Sequence, residues 1–158
     1  MSVYITGKRL MDMTAAHVHE LYKMRVTIFV HEQQSPYQEI DDTDIHPGTQ
    51  HILAYETDGG ARLIGTARVF GNPTQAQHIG RVCVAAHARG QGIASQILDK
   101  ALEVCKERAA GVDPTTGARI ELAAQSYLVS WYEQFGFVVD GDEFDDTGIP
   151  HTPMVMRI

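Results

Sequence analysis

Residues Ile79 to Ser95 read IGRVCVAAHARGQGIAS, and no other stretch restricts the fold of this chain as strongly. Val82 and Val84 flank Cys83 in the alternation of a strand, and Ile93, Ile97, Leu98, Ala101 and Leu102 recur at the spacing of one helix face. Arg89, Gly90, Gln91 and Gly92 form a basic, glycine-containing turn between them. The first turn of a helix has N–H groups without intrahelical partners, and the macrodipole adds partial positive charge there. Glycine lets an anion approach the backbone, and Arg89 adds a permanent charge with several donors. The turn therefore reads either as a phosphate site or as an ordinary strand–turn–helix connection.

Two common phosphate loops are excluded. A P-loop needs Lys and then Ser or Thr after its last glycine, and Gly92 is followed by Ile93 and Ala94. A dinucleotide fingerprint needs glycine or alanine where Ser95 stands. A dinucleotide oxidoreductase is disfavoured on that ground and by the run of antiparallel strands described next.

The chain has 158 residues, which suits a single domain spanning 1–158. Val3 to Arg9 reads as a strand, Thr14 as a helix cap, and Ala15 to about Val30 as a helix. Ser35 to Gln50 is a polar loop holding Glu39, Asp41, Asp42 and Asp44. It reads most simply as a solvated acidic loop, and alternatively as a cationic-substrate rim or a general base over a cleft. Strands follow at His51 to Thr57, Arg62 to Phe70 and Gln77 to Ala85, the first two joined by Asp58-Gly59-Gly60. A helix runs from about Gln91 to Ala109, and Pro114 to Gly117 breaks the chain. Ile120 to Ala123 is a strand, and Ser126 to Phe135 a helix closed by Gly136. Phe137 to Val139 and Thr152 to Ile158 are the last strands. The order βα-βββ-α-β-α-ββ makes a mixed α/β sheet rather than a doubly wound one.

His31-Glu32-Gln33-Gln34-Ser35 opens like a zinc-protease helix, but Ser35 stands where the second histidine belongs, and no metal site is expected. The net charge of −7 argues against nucleic acid as partner and suits a cationic small molecule or basic peptide. No apolar run is long enough to cross a bilayer, and MSVYITGKRLMDM lacks the pattern of a secretory leader. Two cysteines, Cys83 and Cys105, make no disulfide framework. The expectation is a reduced, cytoplasmic setting with no membrane partner.

Arg89-x-x-Gly92-x-Ala94 resembles the acyl-CoA pyrophosphate loop of the GNAT acetyltransferase superfamily. QSYLVSWYEQFGF, from Gln125 to Phe137, resembles that family's second motif. FVHEQQSPYQEIDDTD and GDEFDDTGIPH resemble segments of its ElaA-like members, so the likeness covers nearly the whole chain. The resemblance implies a GNAT-type acyl-CoA N-acyltransferase fold, with a mostly antiparallel central sheet flanked by helices. It implies acetyl-CoA as cofactor and a primary amine as acceptor. A non-catalytic acyl-CoA-binding or sensor domain is the alternative.

By position, the resemblance implies that backbone around Val82, Cys83 and Val84 meets the pantetheine arm. Arg89, Gly90, Gln91, Gly92, Ile93 and Ala94 would hold the pyrophosphate, with Ser95 in reach. Gln125 stands where the family commonly has asparagine, and Tyr132 where it often has a tyrosine near the thioester sulfur. Tyr132 is thus the expected general acid, the alternative being a core tyrosine whose hydroxyl is bonded elsewhere. Candidates for the base or for acceptor binding are Glu32, Glu39, His51 and His151, and a solvent relay is a further option. Arg25 and Trp131 read as packing or salt-bridge residues. Cys83 as a nucleophile is disfavoured, since direct transfer needs none. Pairing through the last strands would give a homodimer.

Overall fold

A computed structural model describes residues 1–35, 37–111 and 118–158. The chain break expected at Pro114 to Gly117 lies outside the described residues. Eight strands form one sheet: β1 (Val3–Lys8), β2 (Gln50–Glu56), β3 (Arg62–Gly71), β4 (Ala76–Val84), β5 (Arg119–Gln125), β6 (Val138–Val139), β7 (Phe144–Asp146) and β8 (Ile149–Arg157). Their order is β1-β2-β3-β4-β5-β8-β6, with β7 on β8. Every pairing is antiparallel except β4 with β5. The sheet is therefore mixed and mostly antiparallel, as the sequence predicts. The short strand β7 is an addition to the predicted order.

β2 and β3 are buried almost without interruption because both faces of the sheet are covered, and among their apolar residues stand the buried His51, Thr66 and Arg68. Ile52 and Ala54 face α2 (Ile93–Ala109), which buries Ile93, Ile97, Leu98, Ala101 and Leu102. Leu53 and Tyr55 point the other way, onto a cluster with Leu21 of α1 (Ala15–Arg25). Gly65 sets how closely α2 lies on β3: a Cβ there would meet Ile97 Cδ1 at 2.5 Å. The spacing of α2 and the glycine below it thus fix where the N-terminus of the helix emerges.

The Thr14 side chain caps α1 by accepting from the His17 N–H at 3.2 Å. The helix does not continue as an α-helix to Val30. From Val26 to Glu32 it widens into a π-helical segment, where Gln33 N–H donates to the Ile28 carbonyl five residues back at 3.0 Å. The extra residue per turn changes which side chains share a face. As a result Ile28, Phe29, Glu32 and Gln33 all reach the same cleft.

Candidate active site

The cleft exists because two neighbouring strands part. β4 and β5 pair only from Ala76 to His78 against Arg119 to Glu121. Further along, β4 carries one residue too many against β3: Arg68 faces Gly80, whereas Thr66, two residues on, faces Cys83. Arg81 sits in this bulge with φ of 53°, a left-handed conformation uncommon for a side-chain-bearing residue. A bulge bends its strand, and here it turns β4 away from β5.

The backbone of the bent end is available. Ala85 N–H donates to the Ile64 carbonyl at 2.8 Å, so its polar groups point toward β3. Antiparallel alternation then turns the N–H and C=O of Val84, and of Val82 before it, toward the gap. The Val84 carbonyl accepts from Arg89 Nε at 2.9 Å.

Gly92 precedes α2 with φ of 78° and gives its N-terminus no side-chain cap. Gly90 has the same φ, and a Cβ on either glycine would meet no other residue within 4 Å. Open space lies over both glycines, beside the uncapped first-turn N–H groups of α2 and the positive end of a 17-residue helix. This is the geometry an anion needs, and it fits a diphosphate.

The gap opens into a cleft of about 1000 Å³. Val82, Cys83, Val84, Arg89, Gln125, Tyr132, Glu32 and His151 line it, and Gly90 to Ser95 lead from Arg89 into the start of α2 without lining it. Tyr132, on α3 (Val129–Glu133), is buried beside Trp131 and Phe137, and burial pushes its phenol up to about 12. Its hydroxyl takes no hydrogen-bond partner among the described residues, so it is not a core tyrosine bonded elsewhere. Burial likewise pushes the Cys83 thiol up to about 12, which keeps it protonated and a poor nucleophile.

His151 Nδ1 lies 2.8 Å from the Ile149 carbonyl oxygen. A carbonyl only accepts, so that bond assigns the hydrogen to Nδ1 and leaves Nε2 of the neutral ring as an acceptor. The ring stacks on Phe144 with centroids 5.8 Å apart. Around it, the cleft wall carries Glu121, Asp140 and Asp146.

Arg68 and Arg81, which also line the cleft, belong to a largely buried cluster of charges. Arg25 Nη1 donates to Asp44 Oδ1 at 2.6 Å, and its Nη2 reaches Glu39 Oε2 at 3.1 Å. Arg68 Nη1 bonds Asp41 Oδ1 at 2.7 Å and Asp44 Oδ1 at 3.0 Å. Arg81 Nε bonds Glu39 Oε2 at 2.7 Å, which fastens the bulge to the loop. The acidic loop is therefore not simply solvated, since Glu39 and Asp44 are buried. Glu39 is held by two arginines and does not line the cleft, in contrast to the free carboxylate a base requires. Arg25 is the salt-bridge residue that the sequence suggests, and Trp131 packs against the core.

His51 is also taken up by this cluster, its Nε2 donating to the Asp44 carbonyl at 2.9 Å. Burial lowers its imidazole below the ordinary histidine value. The unfolded chain then binds a proton that the fold resists. Stability is complete above about pH 6.5 and declines as pH falls toward the lowered value, by up to about 1.4 kcal/mol per pH unit. Urea unfolding at pH 7.5 and pH 5.5 should show a loss in the wild type that is smaller by about 1 kcal/mol in His51→Gln. Equal losses would contradict this role for His51.

The acetyltransferase (GNAT) domain family matches residues 24–158. The chain belongs to that family. It is 30% identical over 149 residues to the protein ElaA of Escherichia coli, covering 93% of this chain and 92% of that one. The crystal structure of E. coli ElaA superposes with a TM-score of 0.85, at 28% identity, over 98% of this chain and 99% of the other. An acyl-CoA N-acyltransferase from Pseudomonas aeruginosa gives a TM-score of 0.84 at 30% identity over the same shares. A UPF0039 protein of Mycobacterium tuberculosis is 39% identical over 152 residues, 91% of this chain and 86% of its own. The protein is thus a GNAT acyltransferase-family member of ElaA-like type, and its mixed sheet is the GNAT fold.

Within this GNAT domain, eight of the residues singled out in the sequence line the cleft, and Gly90 to Ser95 continue from Arg89 into α2. Glu39 and His51 do not line it; they belong to the charge cluster. The sequence reading missed the parts that shape the far end, namely Phe29 of the π-helical turn, Arg81 as the bulge residue, Asp140, and Asp146 of β7. The polar segment Asp140 to Asp146 was the one available signal, because three acidic side chains precede Phe144 there.

Proposed function

We propose that this GNAT protein transfers an acetyl group from acetyl-CoA to a primary amine of a cationic small molecule or peptide. The observation that carries the reading is a cleft between parted strands that holds Arg89 and a Tyr132 hydroxyl without a hydrogen-bond partner among the described residues, with a glycine-opened helix N-terminus following Arg89 in the chain. The Pseudomonas neighbour's description as an acyl-CoA N-acyltransferase supports the donor. Glu121, Asp140 and Asp146 in the cleft, with the net charge of −7, support a cationic acceptor. A reducing, cytoplasmic setting goes with two free, buried thiols. No helix among the described residues is long and apolar enough to cross a membrane.

When bound, acetyl-CoA supplies an acetyl group activated as a thioester. The N–H groups from Gly90 to Ser95 and the Arg89 guanidinium hold the diphosphate. Val82 offers its N–H and C=O, and Val84 its C=O, to the amides of the pantetheine arm, as a neighbouring strand would. Gln125 lines the same groove. The Val84 N–H is the donor for the oxyanion that forms on attack.

His151 Nε2 takes the proton that the acceptor ammonium must lose before its lone pair can attack. Tyr132 donates a hydrogen bond to the departing sulfur. A phenol at about 12 holds its proton more firmly than a thiol at about 8.5, so full transfer does not precede bond cleavage. The hydroxyl instead steadies the growing negative charge. It would relay to the sulfur, in one concerted step, the extra proton of the positively charged nitrogen in the collapsing adduct, so that the phenol is never left ionised. Glu39 acts from behind, holding Arg81 in the bulge.

Release of free thiol, followed with polyamines, amino sugars and peptide amines, tests the proposal. Saturable coenzyme A binding together with release for at least one acceptor class is the expected result. Tight binding with no release in any class would favour a non-catalytic acyl-CoA sensor. Absence of saturable binding would overturn the reading.

A further inference from the structure

Glu32, the last residue of the π-helical segment, and Gln33, which caps it, bridge both lips of the open split. Glu32 Oε2 accepts from Arg89 Nη2 at 2.8 Å on the β4 side. Gln33 Oε1 accepts from Gln125 Nε2 at 3.3 Å on the β5 side. The same guanidinium edge that meets Glu32 also donates from Nε to the Val84 carbonyl. One edge of Arg89 thus closes over a backbone group of the groove.

We infer that Glu32 and Gln33 form a strap across this split, and that Glu32 competes with the cofactor's diphosphate for Arg89. The inference rests on the acetyl-CoA reading. Arg89 is the charged side chain of the anion loop, and a diphosphate claims the donors that Glu32 and the Val84 carbonyl now hold. The pair is about half in solvent, at 49% exposure for Arg89 and 35% for Glu32, so it is weak enough to exchange. A diphosphate offers more charge and more acceptor oxygens than one carboxylate. When Arg89 swings to it, the Val84 carbonyl is freed for the pantetheine arm in the same movement. Glu32 is left as an unpaired carboxylate facing the cleft. The strap segment also carries Ile28 and Phe29, so filling the split resets one wall of the acceptor site.

Calorimetric titration with coenzyme A and with acetyl-pantetheine, which lacks the diphosphate, tests the exchange. Glu32→Gln keeps the shape and removes the competing charge at an exposed position. It should tighten coenzyme A binding by about two- to five-fold and leave acetyl-pantetheine binding unchanged. Unchanged or weaker coenzyme A binding in Glu32→Gln would overturn the inference while the wild type still binds the cofactor. An equal gain for both ligands would also overturn it, because the gain would come from loosening the strap and not from the charge. Failure of the wild type to bind coenzyme A at all would instead remove the acetyl-CoA reading and the inference with it.

Discussion

Replacing Tyr132 by Phe should lower turnover by about two orders of magnitude or more and leave coenzyme A affinity unchanged. The substitution removes one oxygen from a ring packed edge-on against Trp131 and Phe137, so the packing that holds α3 in place survives. Its hydroxyl bonds no other described residue, so no internal contact is lost with it. What disappears is the donor proposed for the departing sulfur, an interaction made only as the carbon–sulfur bond breaks. Such a loss falls on kcat and spares binding. Steady-state kinetics with a responsive amine, paired with calorimetry on coenzyme A, separates the two quantities. Unchanged kcat would remove Tyr132 from the chemistry.

Arg25→Met should destabilise the fold by about 3–5 kcal/mol. For a domain of this size that corresponds to a fall in melting temperature of about 10 °C. Arg25 is the most buried charge donor of the cluster, and its removal leaves Asp44 and Glu39 buried with one fewer positive partner. Burial alone pushes the Asp44 carboxyl up. The hydrogen bond and charge of Arg25 outweigh this and hold it below the ordinary aspartate range. The stability from that carboxylate is therefore present above about pH 4 and lost as pH falls through its lowered value. Without Arg25 the acid limb of the stability curve should begin at higher pH. Urea unfolding across pH measures both effects, and a change within about 0.5 kcal/mol would show that the cluster does not fasten the loop. The cleft wall should suffer too, since the loop that carries Ser35 and Tyr37 into the cleft is tied down by these bonds.

What could be read from the sequence was local. The helix spacing of Ile93 to Leu102, the glycines at 90 and 92 and the cap at Thr14 each act within a few residues, and the structure places them as expected. Tyr132 was found through a motif that links it to Gly136-Phe137. The features that escaped depend on residues far apart in sequence. No periodicity in the segment from Glu39 to Asp44 says that Arg25, Arg68 and Arg81 will meet it, so a buried cluster looked like a solvated loop. The parting of β4 and β5 rests on one backbone torsion at Arg81, which an arginine in a strand pattern does not announce. The π-helical turn after Arg25 preserves the apolar spacing of an α-helix in sequence, yet redirects Glu32 and Gln33 into the cleft.

The central claim is that a diphosphate rests on the exposed amides at the start of α2. A crystal structure with bound coenzyme A tests it most directly. The account predicts phosphate oxygens about 3 Å from backbone nitrogens between Gly90 and Ser95, with Arg89 turned from Glu32 toward them. A diphosphate bound elsewhere on the protein, with those amides left to water, would contradict it.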